Sequence, residues 1–128
     1  MKYLTDIAAT LKEGCIQQVC IALNWTAVVV DFDGELRCGL AATMHGRHEH
    51  SGEPQVPQAG SLVGKSTSEL ISFLGQMNSP RTSLAMATLN ALIPPQPDTW
   101  KDGNAVEIIA ARGSDKQVAL IGHFPFVD

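Results

Sequence analysis

Three of the chain's four histidines fall within six residues, at His45, His48 and His50, in the polar segment HGRHEHSGEPQVPQ with Glu49 and Glu53 beside them. Neutral imidazoles suit zinc, nickel or copper. The spacing H-x2-H-x-H matches no closed structural zinc pattern, yet a loop can gather two histidines and a carboxylate around an ion and leave positions open. The competing reading is a solvated polar loop, because donors without fixed supporting hydrogen bonds bind weakly. The fourth histidine, His123 in GHFPF, follows the apolar run Val118–Ile121. In open α/β sheets ligands gather beyond the carboxyl ends of strands, so His123 is placed to line a pocket or to move a proton near neutral pH. A third candidate is AGSLVGKS, Ala59 to Ser66, which fits a relaxed phosphate-loop pattern through Gly60, Gly64 and Lys65. Its context is wrong: two prolines and no strand character precede it, and no later strand ends in an acidic magnesium ligand. A plain connection into a helix is the expectation there, with Lys65 directed at a ligand as the functional alternative. Asn78 and Asn90 flank a helical run and either cap it or present amides to a cleft.

Cys15, Cys20 and Cys38 form neither a CxxC pair nor an even disulfide framework, which fits buried thiols in a reducing compartment. No Ser/His/Asp order, carboxylate pair or reactive-cysteine signature identifies a nucleophile. Enzyme and binding module therefore both stay open. A net charge of −4 without a Lys/Arg cluster excludes a polyanion-binding surface, hence nucleic acid. Residues 1–25 carry Asp6, Lys12, Glu13, Gln17 and Gln18 throughout and form neither a signal-peptide core nor a membrane span, so a cytoplasmic protein is expected.

The 128 residues, 45% of them hydrophobic, suffice for one compact core. From Tyr3 to Asn24, Leu4, Ile7, Leu11, Cys15, Val19 and Leu23 recur at helical steps and predict a long amphipathic helix, weakened at Gly14. Ala27–Val30, the Asp33-Gly34 turn and Leu36–Met44 predict a β-hairpin. After the glycine-bracketed loop, Ser66 and Glu69 form a capping box opening a helix through Leu70, Ile71, Phe73, Leu74 and Met77. Ser79-Pro80 starts a second, small-residue helix that Pro94, Pro95 and Pro97 end. Asp102–Arg112 predicts a further helix capped by Asp98 or Asp102, followed by the strand QVALIG. The expected core is Leu4, Ile7, Leu11, Val28, Val30, Leu40, Leu70, Leu74, Leu84, Leu89 and Leu92.

Taken together, CGLAATM, AG-x-L-x-GKS-x-x-EL, the Ser83-Leu84-Ala85 to Asn90-Ala91 helix and VALIGHFPF resemble the heavy-metal chelation family of prokaryotic proteins. The resemblance implies an α+β fold: an enolase N-terminal-like cap domain over residues 1–95, comprising helix, β-hairpin and helix pair. Residues 96–128 would then be the linker and first helix-strand of a Rossmann-like domain, truncated at Asp128. It also implies a site between the two domains, faced by Gly60, Gly64, Lys65, Asn90 and His123, with a transition metal or small molecule as ligand. Two alternatives stand beside this binding module. One is an enzyme gripping a small anion through Lys65 and the loop N–H groups, with His123 moving a proton. The other is an interaction subunit, homo-oligomeric or joined to a missing domain, that pairs through strand 118–121.

Overall fold

The computed structural model describes residues 2–45, 54–75 and 79–119, in two compact units, Met1–Pro94 and Pro95–Asp128. In the first unit the order is α1 (Lys2–Ala8), β1 (Cys15–Ile21), β2 (Trp25–Phe32), β3 (Glu35–Ala42), a 3₁₀ turn (Ala59–Ser61), α2 (Thr67–Ile71) and α3 (Pro80–Leu92). The strands form an antiparallel sheet in the order β1-β2-β3, so the fold is α+β.

The β2–β3 hairpin follows directly from its residues. Along β2, Thr26, Val28, Val30 and Phe32 are buried while the intervening side chains are not, the period of a half-buried strand. Asp33 and Gly34 both have positive φ, 59° and 97°, as the tight turn matching strand twist requires. The Asp31 Oδ1 atom accepts the Gly34 N–H at 2.6 Å and holds that turn.

The long helix expected over Tyr3–Asn24 is not formed; α1 ends at Ala8 and CIQQVCI is strand β1. Long-range pairing overrides the helical spacing. β1 bonds β2 along one edge, with a bulge at Gln17, and on the other edge Ile16 exchanges backbone hydrogen bonds with Lys65 and Gly64 at 2.9 and 2.8 Å. Gly14 is required for that fit, because a Cβ there would stand 2.5 Å from Val30 Cγ1 and 2.8 Å from the Asp31 carbonyl. What looked like a hairpin after a helix is a three-stranded sheet.

The capping box on α2 is present: Ser66 Oγ accepts from Glu69 N, and Glu69 Oε2 accepts from Ser66 N at 3.1 Å. The helix stops at Ile71, earlier than its apolar pattern predicts. Lys65 donates to Glu69 Oε1 at 2.9 Å, and this bond, followed by the Ser66 amide, holds the Glu69 carboxyl below its ordinary value of 4.5. A carboxylate with a depressed folded-state pKa contributes stability above its unfolded pKa and loses it as pH falls through the folded one. Thermal unfolding is therefore expected to show a smaller acid-side drop in Tm below about pH 4.5 for Glu69→Gln than for the parent. Ser66→Ala is expected to cost about 1 kcal/mol at neutral pH. Superimposable acid limbs for Glu69→Gln and parent would reject this role.

α3 starts with Pro80 in its first turn and is buried on most of its circumference, through Ser83, Leu84, Ala85, Ala87, Thr88, Leu89, Ala91 and Leu92. It lies over β2 and β3 and against α2. Gly39 makes this possible: a Cβ there would overlap the Ala87 carbonyl oxygen and the Ala91 nitrogen. The buried Thr88 hydroxyl donates to the Leu84 carbonyl at 2.8 Å, so it is not stranded inside the helix packing. Where α3 ends, Arg37 Nη1 donates to the Leu92 carbonyl at 3.2 Å while its guanidinium stacks 3.8 Å from the Phe32 ring centroid. Its Nε lies 3.2 Å from Glu35 Oε1 without hydrogen-bond geometry, so that contact is a charge pairing only.

The core comprises Ile16, Val28, Val30, Phe32, Val56, Leu62, Leu70, Ile71, Leu84, Leu89 and Leu92 with the alanines of α3, and Leu4, Leu11 and Leu74 pack partly against it. Two expected core residues lie outside. Leu40 is 54% exposed because it shares with Trp25 and Leu36 the sheet face that no described element covers, and Ile7 is 47% exposed on α1. Cys20 and Cys38 are exposed and Cys15 half-buried, contrary to the expectation of buried thiols, since the strand alternation places them away from the core face.

The second unit contains a 3₁₀ turn (Pro97–Thr99) and α4 (Ala105–Gly113). The α4 cap is Asn104, whose Oδ1 accepts from Val106 N at 2.9 Å, rather than Asp98 or Asp102. The residue nearest the helix supplies the cap. The expected strand through Val118 is absent from its described portion, residues 117–119; the remainder lies outside the described residues. Among the described residues no helix is long and apolar enough to cross a membrane.

Candidate functional site

The first turn of α3 anchors both ends of the histidine-bearing segment. On the near side, Met44 N donates to Ser83 Oγ at 2.7 Å, and Thr43 N donates to the Asn24 carbonyl at 2.9 Å. The Thr43 and Thr26 hydroxyls share a hydrogen bond at 2.9 Å. On the far side, Arg81 Nε donates to the Gln55 carbonyl at 2.7 Å, and Val56 is buried in the core. The chain from His45 to Pro54 thus begins and ends at fixed points served by two residues, Arg81 and Ser83, of one helical turn. Sequence reasoning missed both. The only available signal was Ser83, a polar residue within an apolar helical run.

His45 is exposed immediately after the Met44 anchor. His48, His50 and His123 lie outside the described residues, as does Asn78. Among the described residues no group of three histidine, cysteine, aspartate or glutamate side chains stands close enough to hold an ion. Cys20 and Cys38 occupy β1 and β3 with β2 between them, two strand spacings or about 9 Å apart across the sheet and offset by two residues along it, too far for both thiolates to share one ion. Glu13, Cys15, Asp31 and Asp33 line an open hollow of about 380 Å³. Its acids are already engaged: Asp33 accepts from Lys12 at 2.8 Å, which depresses its pKa, and Asp31 holds the hairpin turn.

The glycine-bracketed loop serves as a strand-to-helix connection. Gly64 has φ 85°, and its N–H together with the Lys65 carbonyl pairs with β1, while nothing crowds Gly60. The Lys65 ammonium is committed to Glu69 at the edge of a cleft of about 220 Å³ that includes Leu62 and Phe73. Asn90 sits within α3 rather than at its end, and its Nδ2 donates to the Leu40 carbonyl at 2.7 Å, occupying an outward acceptor of edge strand β3. Lys65, Gly64 and Asn90 therefore support different parts of the fold; Lys65 and Gly64 tie the loop to β1 and α2, and Asn90 ties α3 to β3.

The described residues of the first unit define an α+β domain. A family model described as "Putative heavy-metal chelation" matches residues 4–93, nearly all of the first unit, and the chain belongs to that family. No curated protein and no solved structure shows significant similarity to the chain.

Proposed function

We propose that the chain is a metal-chelating, small-ligand-binding protein whose ligating segment is the loop carrying His45, His48 and His50. The observation that carries this reading is the double anchorage of that loop on the first turn of α3. Clamping both ends lowers the entropy lost when separate donors converge on one ion. Imidazoles with Glu49 or Glu53 form a borderline donor set suited to zinc, nickel or copper. In the same reading, residues 1–95 are an enolase N-terminal-like cap and residues 96–128 the opening of a Rossmann-like domain of a cytoplasmic protein.

The test is calorimetric titration of the whole chain with Zn²⁺ and Ni²⁺. Replacing His45, His48 and His50 together with alanine is expected to weaken binding at least tenfold, and His123→Ala to leave it unchanged. Ser83→Ala, which removes an anchor and no ligand, is expected to weaken binding less than the triple change. Equal affinity for parent, triple variant and His123→Ala would eliminate histidine chelation. The anionic-substrate reading is less well supported because the Lys65 charge is already paired with Glu69.

A further inference from the structure

Strand β3 turns its larger apolar side chains away from α3. Arg37, Gly39 and Ala41 lie on the helix side, whereas Leu36, Cys38, Leu40 and Ala42 lie on the other. The matching positions on β2 are Asp31, Val29, Ala27 and Trp25. An antiparallel sheet with one wet face alternates apolar and polar residues, while a sheet covered on both sides is apolar on both. Leu36, Trp25 and Leu40 are 63%, 61% and 54% exposed, and among the described residues no element lies over them. The strands present one charged side chain on this face, Asp31, at its hairpin end, and its Oδ1 accepts the Gly34 N–H. With strands about 4.8 Å apart and a rise of about 3.3 Å per residue, the face covers roughly 350 Å² in projection. Monomers rarely expose a contiguous apolar patch larger than a few hundred square ångströms.

We infer that this face is the contact between two copies of the chain, packed sheet on sheet about a two-fold axis that lies in the interface perpendicular to the strands. A two-fold contact requires a patch that complements itself. This axis reverses the strand ends, so Leu36 lies over the partner's Ala42 and Leu40 over the partner's Cys38. Large residues then meet small ones, which lets the two layers interdigitate. On β2, Ala27 lies over the partner's Val29, and Trp25, a hydrogen-bond donor, stands over the partner's Asp31, an acceptor. An axis along the strands would instead oppose Asp31 to the partner's Asp31. Because Trp25, Leu36 and Leu40 project, joining the faces removes on the order of 1,000 Å² of accessible surface, the lower bound for a specific interface. Association is therefore weak, in the micromolar range. At the dilution of unfolding measurements the chain is monomeric and this face open.

The test is sedimentation of the whole chain over a concentration series, in EDTA so that no ion bridges two histidine loops. The mass is expected to rise from 13.7 kDa toward twice that value. Leu40→Lys, at a position exposed in the single chain, should keep the folded circular dichroism spectrum and weaken association at least tenfold. Leu36→Glu should do the same, which keeps the test decisive should Leu40→Lys fail to fold. Mixing Leu36→Glu with Ala42→Lys chains should restore association at least tenfold over Leu36→Glu alone, because the reversed strand ends set these two positions face to face. A single-chain mass at every concentration, undiminished association of Leu40→Lys or Leu36→Glu, or no recovery in the mixture would each overturn the assignment.

Discussion

Gly39→Ala is expected to destabilise the first unit by about 3 kcal/mol, at the upper end for a single added methyl group. The added carbon would overlap backbone atoms of Ala87 and Ala91 and lie 3.0 Å from the Asn90 carbonyl carbon. Backbone inside a helix cannot rotate aside as a side chain can. Relief requires α3 to lift from β3, which would also strain the Asn90–Leu40 and Arg37–Leu92 hydrogen bonds. Urea unfolding measures the effect, and a loss below about 1 kcal/mol would show that the helix and strand are less intimately packed than this.

Leu84→Ala, the second large effect, is expected to cost between about 2 and 5 kcal/mol through lost burial and the cavity left behind. Leu84 is fully buried in a helix enclosed on most sides, so little can collapse into the space. Leu40→Ala supplies the contrast. Both leucines belong to the core expected from sequence, yet Leu40 lies on the uncovered sheet face, and its truncation is expected to change stability by about 0.5 kcal/mol or less. Comparable losses at the two positions would mean that the open face is covered in solution.

The features legible in the sequence were those whose cause is local. Asp33-Gly34, the Ser66/Glu69 box and Pro80 each determine backbone geometry within a few residues, and all three are found in place. Strand β1 was illegible because its apolar residues satisfy a helical spacing, and the deciding interactions come from residues fifty positions away, at Gly64 and Lys65. Leu40 misled for a related reason: alternation along β3 says that one face is apolar but not which face α3 chooses, and the small residue Gly39 made that choice. For the candidate site, the histidines and Lys65 could be read as residue types. What each side chain is committed to could not, since Lys65–Glu69, Asn90–Leu40 and the Ser83 and Arg81 anchors depend on the tertiary fold.

The two anchors on α3 also make the intervening segment exchangeable. With Met44 and Gln55 tied to Ser83 and Arg81, the strand before and the buried Val56 after keep their places whatever is spelled between them. Loop length costs little once its ends are held, roughly 0.6 kcal/mol per doubling. The fold can thus host a different sequence at positions 45–54 as an exchangeable cassette, without renegotiating the core.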